Sequence, residues 1–208
     1  MSTTPEPDAV TYRATLSTDW AASNFPTWFP ANRHFSGLVG AVHDATVSFW
    51  RDGGLATQGI QDMAERGQKA ALLAEVVQAQ QAGAVSAALS GAGVGTAEKQ
   101  VSIEFVLTQR HPLLTLVSMV APSPDWFVGV AGLSLQKDGR WVARLSLALE
   151  VHDAGTDSGL SFASPDLASN PHGPIRLLSS AVADTDLDAG LHRVTRAPLA
   201  SLLLERLG

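Results

Sequence analysis

A mainly β protein, an antiparallel β-sandwich with one or two short helices inserted and a further helix at its C-terminus, follows from three features of the 208-residue sequence. Several segments alternate apolar and polar residues with the period of two that a half-buried strand requires. Asp138-Gly139, set between Leu135 and Trp141, is a two-residue hairpin signal whose positions favour positive φ. The strand-like segments also follow one another without the regular strand–helix alternation of a parallel sheet.

The elements can be justified in order. Residues 1–9 carry Thr, Pro and Glu without an apolar pattern and read as a disordered leader. A single domain is expected over 10–208, because a chain of this length buries a core without splitting. Val10, Tyr12, Ala14 and Leu16 alternate with polar neighbours as a strand. Residues 19–35 hold Trp20, Phe25, Trp28, Phe29 and Phe35, but Pro26 and Pro30 forbid a regular element, so a packed aromatic loop is expected. Leu38–Val42 and Thr46–Trp50 read as strands on either side of His43-Asp44, and Gly53-Gly54 ends the second. Ile60, Met63 and Ala64 share one helical face closed by Gly67, and Leu72, Leu73, Val76 and Val77 form a second stripe ended by Gly83, so two short helices are predicted. Ala84–Ala97 is rich in Gly, Ala and Ser and reads as a flexible loop. Strands follow at 101–108, 113–120, 126–135 and 143–149, and a short one at Ile175–Leu178. Leu199, Leu202, Leu203 and Leu207 fall at helical spacing, predicting a docked amphipathic helix.

Composition removes several function classes. Hydrophobic residues make up 45% and charged residues 16%, which excludes a disordered chain. The net charge of −6 leaves no basic footprint for nucleic acid. There is no cysteine, so disulfides, thiolate metal sites, iron–sulfur clusters and a cysteine nucleophile are excluded. No apolar run is long enough to span a bilayer as a helix. The N-terminus shows neither a charged n-region nor an apolar h-region, which fits either an intracellular chain or one whose signal has been removed.

Two acidic loops could carry chemistry. Asp153 and Asp157 lie four apart in DAGTDSG, with Gly155 and Gly159 permitting tight turns, and Asp125 sits just before the Trp126 strand. If both loops share one end of a sandwich, three carboxylates converge, and a divalent cation relieves their repulsion. Oxygen ligands on flexible loops suit Ca²⁺ better than Mg²⁺. The alternative is three solvated turn aspartates. The spacing is not that of an EF-hand. TDSG also invites a serine-nucleophile reading, but Ser158 lacks the flanking glycines of a nucleophile elbow and any partner pattern. The histidines, 34, 43, 111, 152, 172 and 192, show no metal-ligand spacing. His43 and His111 flank apolar strands and are expected to be hydrogen-bonded structural residues, whereas His152 adjoins Asp153. No P-loop or dinucleotide fingerprint is present.

Four blocks then carry a specific resemblance: HFSGLVGAVHDATVSFWRDGGLATQGIQDMAERG (34–67), HPLLTLVSMVAPSPDWFVGVAGLSL (111–135), DAGTDSGLSF (153–162) and NPHGPI (170–175). Read in order, they resemble the spondin N-terminal domain family, over about residues 11–180. The resemblance implies a C2-like variant of the β-sandwich with a Ca²⁺ site in loops at one end. The family's acidic loop positions match Asp125, Asp153 and Asp157. It further implies a calcium-binding, non-enzymatic adhesion-type module that is extracellular, periplasmic or at the cell surface, with a protein or glycan ligand there. Without cysteine, thrombospondin repeats or a visible signal, the chain departs from the animal members and suggests a prokaryotic stand-alone relative. Two other readings stand beside this one. The same acidic end could serve a metal-dependent hydrolase, with His152 the only base nearby in sequence. The metal could equally only stiffen loops while a partner binds elsewhere.

Overall fold

The computed structural model describes residues 7–18, 20–25, 29–178 and 198–208. Two antiparallel sheets face each other, and two helices cover the outer face of the larger one. The smaller sheet orders β10 (Arg144–Leu149), β13 (Ala200–Leu207), β1 (Ala9–Thr18) and β5 (Gln100–Thr108). The larger orders β12 (Arg176–Leu177), β11 (Val151–Asp153), β7 (Trp126–Ser134), β6 (Leu113–Ala121), β3 (Val39–His43) and β4 (Val85–Ser90), with β2 (His34–Phe35) paired to the end of β6. β8 (Gln136–Lys137) and β9 (Arg140–Trp141) form a separate hairpin whose turn is Asp138-Gly139, at φ 51° and 72°, as the sequence predicts.

The strand period of two builds the core between the sheets. β1 turns Val10, Tyr12, Ala14 and Leu16 inward, where they meet Leu114, Leu116 and Val120 of β6 and Trp126 and Val128 of β7. The alternate residues of β6, Val117 and Met119, face the other way, against Ile60 and Met63 of α1 (Gln58–Arg66) and Leu72 and Val76 of α2 (Ala70–Gln81). β6 is thus buried on both faces, which is why its sequence runs apolar without alternation. α1 starts where Thr57 Oγ1 accepts from Ile60 N and ends where Gly67, at φ 65°, directs its N–H back to Met63 O. Glu75 of α2 accepts from Thr57 Oγ1 (2.9 Å) and Gly59 N (2.8 Å), tying the two helices together.

Three expectations are overturned. The C-terminal segment is not a helix but β13, a central strand with β10 on one side and β1 on the other. Its leucines fit a helical stripe, yet Ala200, Leu202 and Leu204 also fit a period of two, and these three are buried. Pairing on both edges and burial in the sandwich outweigh local helical spacing. Thr46–Trp50 is not a strand: Asp44 Oδ1 accepts from Thr46 N (2.8 Å) in a side-chain turn, and Phe49 and Trp50 pack into the helix-side cluster. Within the expected loop 84–97, Val85–Ser90 forms the edge strand β4, whose small residues give no alternation to read. At the N-terminus Trp141 Nε1 donates to Pro7 O (3.1 Å) and Gln109 N to Asp8 O (3.0 Å). The remaining leader, residues 1–6, and also Trp28 and His192, lie outside the described residues. Trp20, Phe25 and Phe35 pack as the expected aromatic loop, with Phe162 joining them.

Candidate functional site

The two acidic loops meet at one end of the larger sheet because β11 pairs with β7, setting Asp153 opposite Trp126. Asp125 arrives there on the turn that follows β6, where Ser123 Oγ accepts from Trp126 N (3.1 Å). The Asp125 side chain has no solvent exposure. Its Oδ2 accepts from Thr156 N (2.7 Å), Thr156 Oγ1 (3.2 Å) and Asp157 N (3.0 Å), and its main-chain carbonyl accepts from Ala154 N (3.1 Å). The loop after β11 is therefore wrapped around one buried carboxylate. Asp125 Oδ1 is buried as well and has no donor among the described residues.

Asp153 is 3% exposed. Its Oδ1 accepts from Gly155 N (2.7 Å), and its Oδ2 accepts from Arg176 Nη2 (2.7 Å) and Nε (3.2 Å). Asp157 is also buried; Oδ1 accepts from Gly159 N and Oδ2 from Leu167 N, both at 2.7 Å. Burial in the first place, and the Asp153 carboxylate in the second, push the Asp125 pKa up to about 7, against the opposing hydrogen bonds from Asp157 and Thr156. A buried carboxylate beside a second one calls for a proton or a cation.

The structure brings Asp125 and Asp153 within each other's field, while Asp157 reaches Asp125 through its backbone N–H and directs its own carboxylate into its loop. Among the described residues no three acidic or histidine side chains gather as a side-chain metal cage. The donor set nonetheless fits a hard cation in part. All three groups offer oxygen, Asp125 Oδ1 is unpartnered, and an oxygen that accepts one N–H keeps a second lone pair. Sequence reasoning missed Thr156, fully buried against Asp125, and Arg176, the ion-pair partner of Asp153. The cross-strand register that places Arg176 opposite Asp153 joins residues 23 apart.

The other candidates separate from this end. His152 pairs with Phe127, not with Trp126, so its ring lies on the helix side of the sheet, away from the acidic pair. There it stands edge-on to Trp50 (4.9 Å) and parallel to Phe127 (5.6 Å), with Nε2 3.3 Å from Asp52 Oδ1. Burial holds its pKa below the ordinary imidazole value, opposed by Asp52. The base that a hydrolase reading needs is therefore on the wrong face. Ser158 Oγ donates to Leu167 O (3.0 Å), which leaves the serine-nucleophile reading without support. His43 and His111 are hydrogen-bonded structural residues as expected: His43 contacts Asp44 O (2.7 Å) and Thr115 Oγ1 (2.8 Å), and His111 contacts Gly83 O (3.0 Å).

Known proteins resemble this chain over most of its length. The Spondin_N family profile matches residues 10–195. Spondin-2 of Rattus norvegicus is 39% identical over 164 residues, 77% of this chain and 50% of that protein. Spondin-2 of Homo sapiens is 35% identical over 202 residues, 94% of this chain and 61% of that protein. Spondin-1 of Gallus gallus is 31% identical over 177 residues, 81% of this chain and 22% of that protein. The chain thus spans half to three fifths of the Spondin-2 proteins and about a fifth of Spondin-1.

Proposed function

This chain belongs to the Spondin_N family, and from that premise we propose that it is a non-enzymatic binding module acting outside the cell or at its surface, with Ca²⁺ held at the Asp125, Asp153 and Asp157 loop end. The observation that carries the metal is the buried Asp125 carboxylate, with one oxygen unpartnered and a second carboxylate beside it. A cation there neutralises the Asp125 charge, supplements the Arg176 pairing of Asp153 and satisfies the free oxygen. Hard oxygen donors on turn residues favour Ca²⁺, whose coordination is larger and looser than that of Mg²⁺. When bound, the ion supplies charge and loop order rather than reaction chemistry. Asp125, Asp153 and Asp157 would hold it, and Thr156 and Gly155 orient them through the hydrogen bonds described above. An extracellular setting is supported by the family, and among the described residues no helix is long and apolar enough to cross a membrane. The binding partner belongs to the same proposal: a protein or glycan at the cell surface.

Calorimetry on chelator-stripped protein tests the metal. Extracellular Ca²⁺ modules commonly bind at about 10⁻⁴–10⁻³ M. At free Ca²⁺ near 100 times that constant, binding adds about 2.7 kcal/mol to stability, so the melting temperature rises with Ca²⁺ and falls with chelator. Absence of a calorimetric isotherm refutes the site. Equal binding by wild type and by the Asp153→Asn/Asp157→Asn double variant moves the ion elsewhere.

A further inference from the structure

A cleft of about 520 Å³ is lined by residues of the β1–β2 connection and of the β4–β5 connection. Its frame is fixed by backbone bonds. Phe35 N donates to Val94 O (2.8 Å), Val94 N to Phe35 O (3.1 Å) and Thr18 N to Lys99 O (2.9 Å). A cleft of this size accommodates a small organic ligand.

Its lining residues are of two kinds. Three are aromatic: Trp20, Phe29 and Phe35. The Trp20 indole Nε1 is buried and has no acceptor among the described residues. Two others, Arg33 and Lys99, are cationic. The Arg33 guanidinium carbon lies 4.6 Å from the centre of the Phe29 ring, and its Nε donates to Trp20 O (2.9 Å). Those contacts hold the guanidinium in place, and among the described residues no bond occupies its terminal N–H groups. Lys99 lines the same cleft with no hydrogen bond or ion pair from its ammonium among the described residues, and Glu98 is the one carboxylate among the described lining residues. Among the described lining residues, Arg33 and Lys99 outnumber the one carboxylate, on a chain whose net charge is −6. A planar guanidinium anchored on an aromatic ring is suited to two parallel hydrogen bonds to a carboxylate.

From this juxtaposition of Arg33 and Lys99 with aromatic lining residues, we infer that the cleft binds a small organic carboxylate with an apolar body. The anion pairs with Arg33 and Lys99, and the body lies against Phe29 and Trp20. The inference does not depend on calcium at the acidic loops, although the two regions are joined: Phe162, on the acidic loop, packs against Trp20 (5.0 Å) and Trp126 (5.3 Å).

The test is a titration of the ¹⁵N-labelled 208-residue chain with phenylacetate, followed by amide and indole shifts, with chelator and again with Ca²⁺. Saturable shifts confined to Val94–Lys99, the Arg33 segment and the Trp20 indole are expected in both. Phenylacetamide, the neutral counterpart, should bind about tenfold more weakly or worse, the loss of one charge-assisted hydrogen bond. Lys99→Gln should weaken phenylacetate severalfold and Arg33→Lys by about tenfold, because lysine keeps the charge but loses the fork. Lys99 makes no side-chain bond among the described residues, so its substitution keeps the test valid should Arg33→Lys fail to fold. Peptide C-termini and acidic sugars both present carboxylates; N-acetylphenylalanine binding tighter than glucuronate supports the apolar half. Tighter glucuronate, or inorganic sulfate matching phenylacetate, overturns that half. Equal binding of acid and amide, or no saturable shift, overturns the whole inference. Loss of binding only when Ca²⁺ is withdrawn overturns its independence of the acidic loops.

Discussion

Arg176 directs both Nη2 and Nε at the same oxygen of Asp153, at 2.7 and 3.2 Å, from the strand position directly across the β11–β12 ladder. Asp153 is buried while the arginine side chain is 47% exposed, so the pair reaches from the acidic centre to solvent. Arg176 is thus a cation already built into the candidate calcium site, sharing one of the carboxylates that the ion would use.

Replacing it separates the two roles. Arg176→Gln should lower the stability of the chelated protein by about 1 kcal/mol, a modest figure because a half-exposed pair is screened. The same change should tighten Ca²⁺ binding, since a competing positive charge is gone. Calorimetry and thermal melts on the one variant read both. Weaker Ca²⁺ binding would show instead that Arg176 orients Asp153 for the ion.

Gly155 holds the acidic turn closed. Its φ is 75°, and an added Cβ would lie 2.3 Å from Gly173 O, a contact with backbone that cannot yield. Gly155→Ala should cost on the order of 2 kcal/mol and loosen the turn in which Asp153 accepts from residue 155. Chemical denaturation gives the cost. An unchanged midpoint would contradict the close approach.

Removal of residues 198–208 should do more than lower the melting temperature. Those residues supply a strand bonded on both edges and bury Leu199, Ala200, Leu202 and Leu204. The truncated chain should lose cooperative unfolding altogether, since β10 and β1 are left without their shared neighbour. Hydrogen exchange offers a gentler reading: the amides of 202–204 in the intact protein should exchange only through global unfolding. Rapid exchange there would mean an undocked tail.

His43 sets the sign of a pH effect. Burial is the main cause holding its pKa below the usual 6.5, with the hydrogen bond to Asp44 opposing and nearby His111 assisting. The unfolded chain therefore binds the proton more readily than the folded one. The stability tied to neutral His43 is complete above pH 6.5 and is lost as the pH falls through the lower folded value. Melts should decline below that point, and the imidazole resonance of His43 should titrate below 6.5. A titration midpoint above it would reverse the argument.

Much of this molecule was legible in the chain itself. The period of two in β1, β5 and β10 wrote one buried face per strand, Gly67 marked the break between helices, and Asp138-Gly139 demanded the hairpin found there. Each is a local signal, set by side-chain alternation or by backbone conformation at one residue. The three acidic residues were visible too, because aspartates among glycines in loops follow from composition alone. Tertiary structure decided the rest. A helix-like leucine stripe became β13 because only a strand there satisfies the edges of both β10 and β1. The turning of His152 away from Asp153 came from the pleat of a paired strand, and the meeting of Arg176 with Asp153 came from register. Asp125 lost its solvent only when the following loop closed over it. These are consequences of pairings between residues distant in sequence, whose free energy exists only once the sheets have formed.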